Sequence, residues 1–368
     1  MEGTVGKPPP APPKEGWLRP VLRLRFTLRL QMNGSKRIEY IDAMRGMTMI
    51  LVVYSHICAY CLGSRHIGFN DVFFLFRLPC FFFISGWLFY KAERVWDAPT
   101  IKAVVKKKFM VQIVPTFIFL LLLAPPPLFF TRLGAVKGGY WFTFALFEFF
   151  VLYILSVRFC RKGSLIIAIL ISIAAFCYDV FYNRYFASMG LLTKALGFLS
   201  FMTWRYYLFF FLGTLAKRYF GGWCYWTSRW WVIVLVVAGF MGVAFFPHTD
   251  TVSIVYLKFA LGGILGMTMV FCFFRANASL FSKEHAIGRC LQYVGTRTLD
   301  IYLLHYFFLP RFLLPWGQQL QTHDNPFLEL AVALLLALVV TSLCLLASRI
   351  IRLSPFLARY LFGVTPNT

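Results

Sequence analysis

Tyr40 to Leu62 reads YIDAMRGMTMILVVYSHICAYCL. At helical rise a stretch of this length crosses the roughly 30 Å hydrocarbon core of a bilayer. It is apolar except for a few polar side chains, of which Asp42, Arg45 and His56 are ionisable. Ionisable side chains inside such a run are costly and mark functional positions. Eleven residues advance an α-helix by three turns plus about 20°, so Arg45 and His56 share a face, roughly 16 Å apart along the axis. Asp42 lies one turn below Arg45 and within about 60° of it. One polar stripe therefore runs from a charged end to a histidine deep in the span. Lipid cannot satisfy such a stripe, whereas an aqueous or ligand-filled passage can. The structural alternative is an Asp42–Arg45 pair at the interface, with His56 bonded to a neighbouring helix.

Working outward, the chain continues as apolar segments of about the same length. With 40–62 they are 70–90, 109–130, 140–158, 163–182, 201–217, 229–247, 252–274, 291–313 and 327–352. The third contains Pro115 and the run Pro125 to Pro127, which predicts a kink or break near its outer end. Across all 368 residues, 60% are hydrophobic, 14% are charged and 43 are Phe, with a mean hydropathy of +0.70. That composition excludes an ordinary cytosolic enzyme, a disordered chain and a secreted disulfide scaffold. It predicts an all-α polytopic membrane protein of about ten transmembrane helices, without internal repeats.

The net charge of +23 sits between the apolar runs rather than on a polar domain. It therefore reads as a topology signal and not as a nucleic-acid surface. Alternate connections are rich in Lys and Arg, above all the N-terminal segment to Arg37 and the link from Lys91 to Lys108. The opposite connections hold only Arg65, Arg132, Lys137, Arg184, Lys194 and Arg311. The bias predicts both termini in the cytoplasm. Residues 1–36 form a separate N-terminal segment, Pro-rich from Lys7 to Gly16 and basic beyond, expected to be disordered and dispensable. The membrane domain is expected at 37–360, with a short tail at 361–368. Cys58 and Cys61 form a lone CxxC without a second pair at zinc spacing, and a disulfide there is weakly supported. No HExxH or clustered His pattern is present, so no metal is implied.

Several phrases, in order, carry a resemblance. IEYIDAMRGMTMILVVYSH (Ile38 to His56) resembles the opening of the acyltransferase 3 family of integral membrane proteins, which has an Arg and a His separated by ten residues inside a D-x-x-R-G context. FFFISGWLF (Phe81 to Phe89) is similar to the family's second-span phrase, and VVKKKFMVQIVPTF (Val104 to Phe117) to its basic loop and Pro-containing span. Gln112 stands where the family often has an arginine. GYWFTFALF (Gly139 to Phe147), FFFLGTLAKR (Phe209 to Arg218) and LDIYLLH (Leu299 to His305) resemble later phrases. The resemblance covers about residues 36–360 and is nearest to short sugar-acetylating members without a fused domain.

The resemblance implies a multi-pass enzyme of the cytoplasmic membrane. It would move an acyl group, usually acetyl, from cytosolic acyl-CoA to a hydroxyl of an envelope carbohydrate or glycolipid. Acetyl-CoA is then a co-substrate, and no cofactor is held permanently. A hydroxyl attacks a thioester poorly unless a base takes its proton. His56 is the candidate base, or alternatively a covalent acyl carrier. Arg45 and the run Lys106, Lys107 and Lys108 are candidate ligands for the donor's phosphates, although positive-inside anchoring alone explains the lysines. Glu148 is a candidate orienter of His56. Arg205 is a candidate for acceptor binding or for pairing with Glu148. Tyr302 and His305, one turn apart, are supporting candidates, and Arg297 with Asp300 below them reads as helix-to-helix glue. Ser85–Gly86 and Gly262-x-x-x-Gly266 read as packing positions. A transporter or flippase for a polar solute or glycolipid is the alternative that buried charges also allow, and a non-catalytic protein with the same fold is a second one.

Overall fold

The computed structural model describes residues 38–123, 139–185, 201–247 and 252–364, and every regular element among them is helical. In chain order these are α1 (Glu39–Tyr60), α2 (Asn70–Phe89), α3 (Ala98–Lys108), a π-turn (Phe109–Ile113) and α4 (Val114–Leu123). Next come α5 (Trp141–Phe159), α6 (Ser164–Tyr185), a 3-10 turn (Phe201–Tyr206), α7 (Tyr207–Arg218), α8 (Phe220–Thr227) and α9 (Trp230–Ala244). The remainder are α10 (Val252–Ala276), α11 (Ala286–Thr296), α12 (Thr298–Phe308), α13 (Leu314–Gln321), α14 (Pro326–Ile351) and α15 (Pro355–Phe362).

Four of these helices are long and apolar enough to cross a membrane: Asn70–Phe89, Trp141–Phe159, Ile254–Ala276 and Pro326–Ile351. The pair α8 and α9, bent by 78°, makes a fifth if taken as one broken span. The other apolar segments form helices that depart from a plain span for identifiable reasons. α1 has the length, but Glu39, Asp42, Arg45 and His56 dilute its hydropathy. The segment 291–313 is interrupted at Arg297, which separates α11 from α12. The segment 201–217 begins as a 3-10 turn, and in α6 the stretch Ser164–Asp179 is apolar. In the third segment the Val114 N–H reaches back to the Phe109 carbonyl. This π register takes up an extra residue immediately before Pro115, which has no N–H to give to the helix. The anticipated break at Pro125 to Pro127 lies outside the described residues, as does the N-terminal segment 1–36.

Outward-facing side chains of α9 and α14 are large and apolar: Val234, Leu235 and Met241 on one, Leu335, Leu346 and Ile350 on the other. A surface of this kind belongs in lipid rather than water. The protein is a helical membrane protein.

α1 lies inside, packed by α2, α10, α11, α12 and α14, and it buries most of its length, including Asp42. Its approach to α11 is set by two glycines. A Cβ on Gly46 would overlap the Leu291 carbonyl, and one on Gly295 would overlap the Asp42 carbonyl. The two backbones therefore touch, as small residues at membrane-helix crossings permit. Gly86 of α2 and Gly213 of α7 meet the Phe210 and Phe83 backbones in the same reciprocal way. Ser85 spends its hydroxyl on the Phe81 carbonyl at 2.8 Å, so Ser85–Gly86 is a packing site. Gly262, Gly263 and Gly266 of α10 likewise admit Leu75, Phe209 and Phe76.

α12 is tied to α14 through Asp300, which is 2% exposed. It accepts two hydrogen bonds from the Arg352 guanidinium, from Nε at 2.8 Å and from Nη2 at 2.9 Å, and a third from the Ser348 hydroxyl. Arg297 is a more distant neighbour at 3.7 Å. The glue expected from Arg297 and Asp300 is thus supplied chiefly by Arg352, which is bidentate and therefore stronger. Cys58 and Cys61 are both buried free thiols.

The α1–α11 crossing is testable. Gly46→Leu and Gly295→Leu should each cost on the order of 2 kcal/mol or more through overpacking. Gly242→Leu, where nothing lies within 4 Å of the new Cβ, should be nearly neutral. Thermal unfolding of the purified variants in one detergent reads the difference. Equal midpoints for all three would remove the crossing from the account.

Candidate active site

Near the C-terminal end of α1, His56 meets His305 of α12. His56 Nδ1 lies 2.8 Å from His305 Nε2. The ring planes are inclined by 9° and the ring centres are 4.8 Å apart. A contact of 2.8 Å is shorter than the spacing of stacked rings, so the two near-parallel rings meet through these nitrogens rather than face to face. Each nitrogen then presents its proton or lone pair along the contact, as a hydrogen bond requires. His305 Nδ1 is in turn 2.7 Å from the Tyr302 carbonyl and 3.2 Å from that of Ile301. His305 is fully buried, whereas His56 keeps a partly accessible edge.

Tyrosines enclose the pair. The Tyr306 ring centre is 4.1 Å from His305 and 5.2 Å from His56, and Tyr60 is 5.8 Å from His56. The start of α5 is fastened here as well. Tyr302 and Tyr306 donate to the Gly139 carbonyl at 3.1 and 3.2 Å, and Tyr140 donates to the Leu303 carbonyl at 2.7 Å. Gly139 has φ +93°, and a Cβ there would sit 2.6 Å from the Tyr306 hydroxyl, so both backbone and packing call for glycine.

The other end of α1 is cationic. The Arg45 guanidinium lies 5.9 Å from the centre of the Phe81 ring. Lys108, the last residue of α3 and ahead of the apolar run, places Nζ 4.1 Å from the Phe150 ring centre and 5.6 Å from that of Phe89. Arg94 stands over Trp96 at 5.2 Å and Phe89 at 5.7 Å. Burial, and then the like charges of Arg45, Arg94 and Lys107, push the Lys108 ammonium down to about 8. Between the cationic end and the histidines lie Phe81, Phe142 and Tyr302, in edge-to-face contact with one another in turn.

A family model described as an acyltransferase domain, that of the acyltransferase 3 family, matches residues 38–349. The chain belongs to the acyltransferase 3 family. No curated protein and no solved structure matches it.

In this membrane acyltransferase the anticipated residues fall into separate groups. His56, His305 and Tyr302 come together, and His305 stands at the ring nitrogen of His56 where a carboxylate was anticipated. Glu148 instead accepts from Trp204 Nε1 at 2.7 Å. Arg205 does not pair with Glu148 either. Its partner is Asp179 at 2.6 Å, which also accepts from the Tyr256 hydroxyl at 3.0 Å. Trp204 and Arg205 are adjacent on a 3-10 turn, so one side chain reaches α5 and the other α6. The lysine run divides too. Lys108 turns toward the Phe89 and Phe150 rings, while Lys106 and Lys107 line, with Arg359 of α15, a different cavity of about 430 Å³. Successive residues of a helix point about 100° apart, which separates Lys108 from that cavity. Asp42 and Arg45 occupy the buried, cationic half of α1, as their spacing indicated.

Sequence reasoning passed over Tyr60, Tyr306 and Arg94, which resemble ordinary interfacial residues until their contacts are known. Arg77 was readable, as the one basic residue within 70–90. It is 8% exposed, donates to Asn70 Oδ1 at 2.9 Å, and lies over the Phe74 ring at 5.3 Å.

Proposed function

We propose that this acyltransferase carries an acyl group, acetyl in the first instance, from acyl-CoA to a hydroxyl of an envelope carbohydrate or glycolipid. In this reading the chain crosses the cytoplasmic membrane about ten times, with both termini in the cytoplasm, and the donor enters from the side to which Arg45 belongs. The bias of Lys and Arg toward alternate connections supports that orientation.

The observation that carries the reading is the distribution of chemistry along α1. A cationic cluster stands at one end and an accessible imidazole near the other, roughly 16 Å apart by helical rise. An acyl-CoA has a matching layout, with phosphates at one end of a long pantetheine arm and a thioester at the other. Arg45 and Lys108, with Arg94 beside them, hold the donor's phosphates. Lys106 and Lys107 add attraction from the neighbouring cavity. As the acceptor hydroxyl attacks the thioester carbon, its proton passes to His56. The carbon–sulfur bond breaks, a carbon–oxygen ester bond forms, and the proton moves on from His56 to the departing CoA thiolate. No resident cofactor or metal enters these steps. Asp42, buried one turn below Arg45, acts on the placement of Arg45 rather than on the reacting atoms. Tyr302 shapes the wall between the donor arm and the histidines.

Thiol release from acetyl-CoA, measured on purified protein with a panel of envelope sugars and lipid-linked sugars, tests the reading. Wild type should turn over with at least one acceptor, and His56→Ala should lose about 10²-fold or more of kcat. Acid-quenched samples with labelled acetyl-CoA should carry no label on the protein. Full activity in His56→Ala, or no acetyl-CoA binding by wild type, would overturn the reading.

The donor end makes its own prediction. Above about pH 8 the Lys108 ammonium loses its charge, so KM for acetyl-CoA should rise as pH climbs through that value. Lys108→Arg, which stays charged, should abolish the rise. Lys108→Ala should show the high KM at every pH, about tenfold above wild type at pH 7. The same pH dependence in Lys108→Ala would assign the titration to another group.

A further inference from the structure

His56 offers two ring nitrogens, and only one of them can face the substrate. The structure fixes which. A carbonyl has no proton to give, so His305 Nδ1, 2.7 Å from the Tyr302 oxygen and 3.2 Å from that of Ile301, must be the donor there. His305 is fully buried, and among the described residues no carboxylate is ion-paired with either imidazole. A full positive charge on His305 would stand uncompensated in an apolar interior, so the ring is held neutral. With its one proton on Nδ1, its Nε2 carries a lone pair. That lone pair faces His56 Nδ1 at 2.8 Å, with the two rings nearly parallel. His56 must therefore hold a proton on Nδ1, and in the neutral ring its Nε2 is bare.

We propose that His305 is a positioning residue that locks His56 in the Nδ1-protonated tautomer, so that His56 Nε2 is the atom that receives the acceptor's proton. The catalytic part rests on the acyl-transfer reading above; the tautomer does not. The arrangement does with a neutral imidazole what a carboxylate does behind the histidine of a hydrolase triad, namely orient the ring and choose the nitrogen. It differs in adding no negative charge. The chain of donors ends on the helix backbone, at the Tyr302 carbonyl, so ring orientation is inherited from α12. Tyr306, 4.1 Å from His305 and 5.2 Å from His56 between ring centres, limits rotation of both rings.

The test combines nitrogen NMR on ring-labelled histidine with kinetics, using the full chain in one detergent. The His56 signals are assigned by their loss in His56→Ala. Wild type without substrate should show His56 protonated on Nδ1 and bare on Nε2. In His305→Leu the acceptor is gone, and the His56 signals should move to the Nε2-protonated form that imidazoles prefer in water. kcat should then fall at least about tenfold, with KM for acetyl-CoA unchanged within about twofold. His305→Gln, whose amide oxygen can accept from His56 Nδ1, should restore the tautomer and most of kcat. That restoration separates orientation from mere structural support. His56 protonated on Nε2 in wild type would overturn the proposal without any variant having to fold. So would a kcat in His305→Leu equal to that of wild type while the tautomer has switched. If the wild-type tautomer is as stated but no acceptor supports thiol release, the acyl-transfer reading fails and the hydrogen-bond direction stands.

Discussion

The contact between α1 and α11 is the constraint from which the site follows. Two helices can bring their backbones together only where neither carries a side chain, and Gly46 and Gly295 clear that space reciprocally. The chain then breaks at Arg297 and resumes as α12, which runs beside the far half of α1. His305 arrives next to His56 because the crossing lies one helix earlier. Asp300, gripped by Arg352 and Ser348 of α14, holds α12 from its other side. A buried carboxylate bonded on several sides in this way fixes position, whether or not it adds net stability.

With α12 in place, the remaining features serve separation. The cations of Arg45, Lys108 and Arg94 lie at one end of α1 and the imidazoles toward the other, with aromatic rings between them. No carboxylate pairs with the imidazoles among the described residues, and Glu148, the carboxylate considered for that role, is bonded to Trp204 instead. The result is an imidazole-bearing end and a cationic end on a single helix. A base that must take a proton from a hydroxyl and return it to a thiolate suits the imidazole-bearing end, since it should hold that proton only briefly.

Much of this was legible in the chain, and the limits have physical causes. Asp42, Arg45 and His56 stand out because three ionisable residues interrupt one apolar run at spacings that share a face. Helices were readable from apolar length, but their use as spans was less so, because α1 is diluted by its own functional charges and α11–α12 is interrupted at Arg297. The partner of His56 could not be derived by depth alone. Glu148 and His305 both sit in apolar segments, and helical rise says nothing of which face meets which neighbour. The choice is made by the Gly46–Gly295 crossing and by the adjacent Trp204 and Arg205, which turn their heads apart. The lysine run looked like one site because three cations are consecutive, whereas a helix fans them over different faces.

On the proposed function the donor lies along α1, with its phosphates at Arg45 and Lys108 and its thioester at His56. The most direct measurement is an experimental structure of the protein with a non-reactive acetyl-CoA analogue. Donor binding along α1 predicts the diphosphate on Arg45 and Lys108 and the carbonyl carbon within about 5 Å of His56 Nε2, close enough for one hydroxyl oxygen to sit between them. An analogue with its carbonyl more than about 10 Å from His56, or with its phosphates on Lys106, Lys107 and Arg359 alone, would contradict it.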